Sequence, residues 1–223
     1  MENEHGLPIR FYKLPPGDLV KARNLGLREA RYRWILIWDA DFVADEKLVK
    51  TIREIIEVTD RKLYYLVYWP FIRFCGDIYH LCPNPMHVEH WLYTWSRKLK
   101  YVEIRNTESL IAPVHMYKVV YIREPLGYHF CDVRKPERLF FKHVWWKYKG
   151  IVDRLLQEDV EKAFEFAKKV AKDEYGASDL YEAGIKYMKT LIARLEPYDE
   201  RKFGPLPQKV IEHYNKKILH KII

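Results

Sequence analysis

Hydrophobic and polar positions along this chain switch repeatedly between the period of a strand and the period of a helix. Residues 34–38, Trp-Ile-Leu-Ile-Trp, are a short apolar run that predicts a buried inner strand of about five residues, ending abruptly at Asp39-Ala40-Asp41. From Val43 to Val58 the apolar positions Leu48, Ile52, Ile55 and Ile56 fall at helical spacing and predict an amphipathic helix against a sheet. Leu63 to Phe74 is rich in β-formers and predicts one or two strands, whereas 75–87, punctuated by Pro83 and Pro85, predicts a loop. Residues 91–105 predict two strands around a basic turn at Arg97, Lys98 and Lys100, and 117–123 a further strand followed by a turn at 124–127. Ahead of all this, 7–14 predicts a short strand, Pro15-Pro16-Gly17-Asp18 a turn, and Asp18 the N-cap of a helix from Leu19 to about Arg31. Helical patterning then covers 138–149, 153–174, 178–195 and 207–221, with Ser178 as a candidate cap and a core-facing stripe from Leu155 to Val170. The succession predicts an α/β fold: a mixed sheet with flanking helices over 1–150 and an all-helical region over 151–223.

Composition narrows the class. With 223 residues, 48% hydrophobic and 15% aromatic, the chain can bury a sizeable core. A formal charge of +8 suits polyanionic partners: nucleoside diphosphates, anionic membrane surfaces or nucleic acid. The basic residues are dispersed and no nucleic-acid motif is present, so nucleic acid ranks last. Cys75, Cys82 and Cys131 are too few for a secreted disulfide scaffold and lack metal-site spacing, which predicts buried free thiols. His80, His87 and His90 have no tight ligand spacing either. The acidic, polar start is not a signal peptide and no apolar run approaches a membrane span, so a cytoplasmic protein is expected, with peripheral membrane contact through the Lys- and Ile-rich last helix as an option. The abundance of Lys, Arg and Glu is that of a thermophile.

The chemistry concentrates at Asp39 and Asp41. Two carboxylates at a strand end either cap the next helix or share a hard divalent cation, and the three-residue pattern by itself leaves both open. After His129 the chain turns basic, with Arg134, Lys135, Arg138 and Lys142, residue types able to hold a diphosphate or simply to solvate a helix face.

The segment Lys21-Ala22-Arg23-Asn24-Leu25-Gly26, leading into the apolar run and Asp39-Ala40-Asp41, resembles the family 2 glycosyltransferases, which have the A-type nucleotide-sugar fold. The resemblance covers roughly 18–145 and is clearest at 21–41. It implies a partial nucleotide-diphospho-sugar transferase-like sheet and metal-dependent, inverting transfer of a sugar from a nucleotide-sugar donor to a hydroxyl of a glycan or lipid acceptor. It implies Asp39, Asp41 and His129 as ligands of Mn²⁺ or Mg²⁺, with Arg23, Asn24 and Asp39 binding or orienting the donor. Glu108 is implied as the general base, with Glu103 and Glu89 behind it. Family members place two strand–helix units before the Ala-Arg-Asn helix, where this chain has about twenty residues. The alternative expectation is therefore an inactive remnant or subunit that binds a partner or sugar, needs a companion chain for donor binding, or forms a homo-oligomer.

Overall fold

The computed structural model describes residues 9–15, 18–105 and 107–217, with backbone only at 89, 90 and 217. The expected strand at 7–14 lies partly outside these residues, and its described part, 9–14, is irregular chain. The apolar end at 218–223 falls outside them, as do the Glu89 and His90 side chains.

The elements run α1 (Leu19–Glu29), β1 (Trp34–Leu36), β2 (Phe42–Ala44), α2 (Lys47–Val58), β3 (Tyr64–Cys75), β4 (His80–Thr94), β5 (Lys100–Ile104), β6 (Thr107–Ile111), β7 (Tyr117–Tyr121) and β8 (Gly127–Asp132). They continue with α3 (Pro136–Lys147), α4 (Lys149–Glu158), α5 (Val160–Tyr175), α6 (Leu180–Ile192), β9 (Glu196–Pro197), α7 (Glu200–Phe203) and α8 (Gln208–Lys217). Among the described residues seven strands form one mixed sheet in the order β1-β4-β3-β8-β2, with β7 beside β3 and β9 beside β4. The centre is β3. One of its edges carries β4, antiparallel; the other carries β7 alongside 64–68 and then β8 alongside 72–75, both parallel.

The apolar composition of β3 explains its place. Val67, Trp69, Phe71 and Phe74 are fully buried, since the strand is covered on both faces. On one face Leu48, Ile52 and Ile55 of α2 pack with Trp69, Phe71, Trp91 and Phe42. On another part of the sheet Ile72, Phe74, Tyr128 and Phe130 meet Leu206 and, from α8, Val210 and Tyr214. The last helix thus rests on the sheet. The helices α3 to α6 share a separate core around Phe140, Val144, Ala163 and Ala167. There Gly184 of α6 lies so close to α3 that a Cβ would sit 2.1 Å from the Pro136 carbonyl oxygen.

Several boundaries differ from expectation. The run at 34–38 is not an inner strand. Only Trp34–Leu36 is strand, and among the described residues it pairs with β4 alone, at the sheet edge, with Leu36 43% exposed. Phe42–Ala44 begins no helix. It pairs with β8, and α2 starts after Asp45, whose carboxylate accepts from Lys47 N at 2.9 Å. The expected loop at 75–87 is mostly strand. Pro83 and Pro85 are tolerated because the β3–β4 pairing jumps from Ile72↔Met86 to Phe74↔Leu81, leaving both prolines in the irregularity. The expected hairpin at 91–105 is split: β4 stays in the main sheet, and β5 pairs with β6 in a two-stranded sheet of its own. Asp159 interrupts the helix expected over 153–174 and caps α5, and Asp179 rather than Ser178 caps α6. Two residues of the C-terminal half, β9, join the sheet. Cys75 and Cys82 are buried but joined in a disulfide, and only Cys131 is a free thiol.

Candidate functional site around the acidic turn

Helix α1 starts at Asp18, whose side chain accepts from Lys21 N at 2.7 Å. The helix is fastened by Asn24, which donates to Tyr101 O at 2.9 Å and accepts from Tyr101 N at 2.8 Å. This two-way amide clasp to β5 makes Asn24 an anchor. Arg23, its neighbour, is the residue that reaches the acidic turn: its Nη2 donates to Asp39 Oδ2 at 2.7 Å and lies 3.6 Å from Glu108 Oε1. One guanidinium therefore links two of the expected carboxylates. Burial works against its charge, but the Asp39 hydrogen bond and charge, with Tyr101 and Glu108, more than offset this and raise its pKa further.

Asp41 points elsewhere. The turn closes with Phe42 N donating to Asp39 O at 3.2 Å. β2 then lies against β8, so that Phe42 pairs with His129 and the two rings stack at 4.1 Å. This brings His129 Nε2 to 3.8 Å from Asp41 Oδ2. Nδ1 of His129 is buried with no partner, which leaves Nε2 as the ring nitrogen able to meet a ligand. Arg134 completes the group, with Nη2 at 2.9 Å from Asp41 Oδ2 and Nε donating to Cys131 O at 3.1 Å. Burial pushes the Asp41 carboxyl up, but His129 and Arg134 outweigh it and hold the pKa below the usual carboxylate range.

The three expected metal ligands are thus brought together only in part. Asp41 and His129 converge. Asp39, Asp41 and His129 do not all place ligand atoms within 4.8 Å of one another, because Asp39 is drawn to Arg23 and Asp41 to Arg134. The flanking hollows are also separate. Asp41 borders a cavity of about 430 Å³ shared with Val43, Ile78, Phe130 and, from α8, Lys209 and His213. Glu108 borders a cleft of about 200 Å³ with Glu103, Trp145, Lys149 and Asp153. Across β5–β6, Glu103 stands directly opposite Glu108. The sequence marked Arg134 only as one of several basic residues. Its pairing with Asp41 spans 93 positions and has no local signal.

The model of glycosyl transferase family 2 matches residues 2–127. No curated protein matches the chain. The match takes in α1, the acidic turn, Glu108 and β7, and it stops two residues before His129. Membership implies a nucleotide-sugar donor and an acceptor, and enzymes of the family commonly use divalent metal ions. Among the described residues no helix is long and apolar enough to cross a membrane. The mixed sheet fits the A-type nucleotide-sugar transferase fold, and with more than half of its 223 residues matched the chain belongs to glycosyl transferase family 2.

Proposed function

We propose that the protein transfers a sugar from a nucleotide-sugar to an acceptor hydroxyl in one displacement with inversion. The acceptor oxygen attacks the anomeric carbon, the bond from that carbon to the diphosphate oxygen breaks, and the nucleoside diphosphate leaves. Glu108 takes the hydroxyl proton as general base from the cleft beside Trp145. Arg23 holds Glu108 and Asp39 in register. Arg134 is placed to let go of Asp41 and receive diphosphate oxygens.

One carboxylate and one imidazole suit Mn²⁺ well and Mg²⁺ acceptably, since such ions are commonly held by one or two protein ligands with the substrate phosphates completing the shell. Asp41 and His129 would hold the ion, which supplies charge neutralisation at the leaving diphosphate. The observation that carries the reading is the Asp41–His129 approach of 3.8 Å beside a cavity large enough for part of a nucleotide. The test is metal-dependent hydrolysis or transfer from UDP- and GDP-sugars. Asp41→Ala should abolish it, and undiminished turnover in that variant removes Asp41 from the site.

A second reading, a binding subunit that another chain completes, is favoured by β1. Among the described residues its outer edge has no strand partner, and Trp34 to Ile37 border a shallow hollow of about 460 Å³ with Arg10 and Tyr12. Turnover by the purified chain alone excludes this reading.

A further inference from the structure

Beyond the acidic turn, three buried sulfur atoms meet where β4, β3 and β8 run side by side, two residues along β8 from His129. Cys75 ends β3, Cys82 lies in β4 and Cys131 in β8, so three neighbouring strands each contribute one. Leu191 and Leu195 cover them. Their sulfurs all lie within 4.8 Å of one another. Cys131 Sγ is 3.9 Å from Cys75 Sγ and 3.6 Å from Cys82 Sγ. Asp132 joins them, its Oδ2 3.6 Å from Cys75 Sγ and 4.0 Å from Cys131 Sγ.

These distances are those of a metal polyhedron. In a tetrahedral zinc site with Zn–S near 2.3 Å and Zn–O near 2.1 Å, an S–S edge is about 3.8 Å and an S–O edge about 3.6 Å. Four of the six edges among the three sulfurs and Asp132 Oδ2 already stand within a few tenths of an ångström of these lengths. Opening the Cys75–Cys82 bond releases the fifth.

The surroundings suit an anionic cluster. Three thiolates, a carboxylate and a divalent ion sum to two negative charges. Two cations face them. Arg73 Nη2 is 3.8 Å from Cys131 Sγ, and its Nε is buried with no acceptor. Lys142 Nζ lies 2.8 Å from Asp132 Oδ1, the oxygen turned away from the sulfurs, and so orients the carboxylate. With the disulfide closed and Cys131 a thiol, the group's one negative charge is Asp132, already paired with Lys142, and the three sulfurs offer Arg73 no charge to offset.

We propose that, with the Cys75–Cys82 disulfide reduced, Cys75, Cys82, Cys131 and Asp132 bind one zinc-like divalent ion that ties β3, β4 and β8 together. The closed disulfide is the metal-free form of the same site. Reduction by a phosphine is balanced: the phosphine takes oxygen from water to become its oxide, the S–S bond breaks, and each sulfur gains a hydrogen. Ion binding then displaces the three thiol protons. The proposal does not depend on the sugar-transfer reading, and its ligands include neither Asp41 nor His129.

The test is a Co²⁺ titration of the full chain, reduced with a phosphine and desalted without oxygen, against the oxidised chain. The reduced chain should take up one equivalent, with thiolate-to-cobalt charge-transfer absorption in the near ultraviolet and tetrahedral bands in the visible, both erased by one equivalent of Zn²⁺. The oxidised chain should show neither. Cys131→Ser should lose the share of one thiolate in three from the charge-transfer intensity per bound ion, and Lys142→Met should weaken binding by about 10- to 100-fold. Absence of the charge-transfer band in the reduced chain, or a band of the same intensity in Cys131→Ser, overturns the proposal.

Discussion

A guanidinium sits on each of the two carboxylates of the acidic turn, and this shapes what single substitutions should do. Arg23 is mostly buried between Asp39 and Glu108. Arg23→Met leaves two partly buried carboxylates without their shared cation and should cost on the order of 1–3 kcal/mol in a urea unfolding titration. Glu108→Gln keeps the shape and removes the base. Its kcat should fall by about 10²- to 10⁴-fold with donor affinity little changed, and an unchanged kcat would release Glu108 from the role. Asp41 gives a pH dependence. Its carboxyl is held below the ordinary range in the fold, so its contribution to stability is present above the unfolded value of about 3.9 and is lost as pH falls through the folded value. Between pH 7 and pH 3 the wild type should therefore lose more unfolding free energy than Asp41→Asn. Equal losses would show that the carboxylate gains nothing from His129 and Arg134. The sequence suggested Asp39 and Asp41 as a pair. Their divergence was not legible, because it depends on which distant arginine reaches each one.

At the scale of elements, the packing of α6 on α3 and of α8 on the sheet rests on close contacts that can be tested directly. A methyl at Gly184 would meet the Pro136 carbonyl at 2.1 Å, so Gly184→Ala must push α6 from α3 and should destabilise by about 1–3 kcal/mol. Tyr214 of α8 is 4% exposed, packed with Phe130 and Ile78 of the sheet core. Tyr214→Ala should cost about 3–5 kcal/mol in the same titration and loosen the wall of the cavity beside Asp41. A loss below 1 kcal/mol would mean that α8 is not docked as described. The helices were the legible part. The stripes of α2 and α5 are set by local periodicity, and the misplaced caps moved by a residue or were missed inside one continuous stripe. The strands were less so. Pro83 and Pro85 read as a loop because their tolerance depends on a pairing irregularity opposite Phe74, which the local sequence does not carry. The Trp34 run read as an inner strand because an apolar composition does not say how many neighbours a strand has.

For the whole molecule, the α/β class, the family and the central acidic turn followed from the Ala-Arg-Asn helix and the apolar run after it, and the family match over residues 2–127 agrees. The resemblance already names His129 with Asp41, and β8 brings the two to 3.8 Å; what lay beyond reach was α8, which returns to roof the same turn. His129 and α8 both lie outside the matched segment, so the hollow beside Asp41 is built jointly by the family core and the chain that follows it. The most direct measurement is calorimetric titration of UDP and GDP into the wild type and Asp41→Asn, each with and without Mn²⁺. The account expects heat from one of the nucleotides in the wild type, dependent on Mn²⁺ and lost in the variant. No heat from either nucleotide with the wild type, or the same heat with Asp41→Asn, would contradict it.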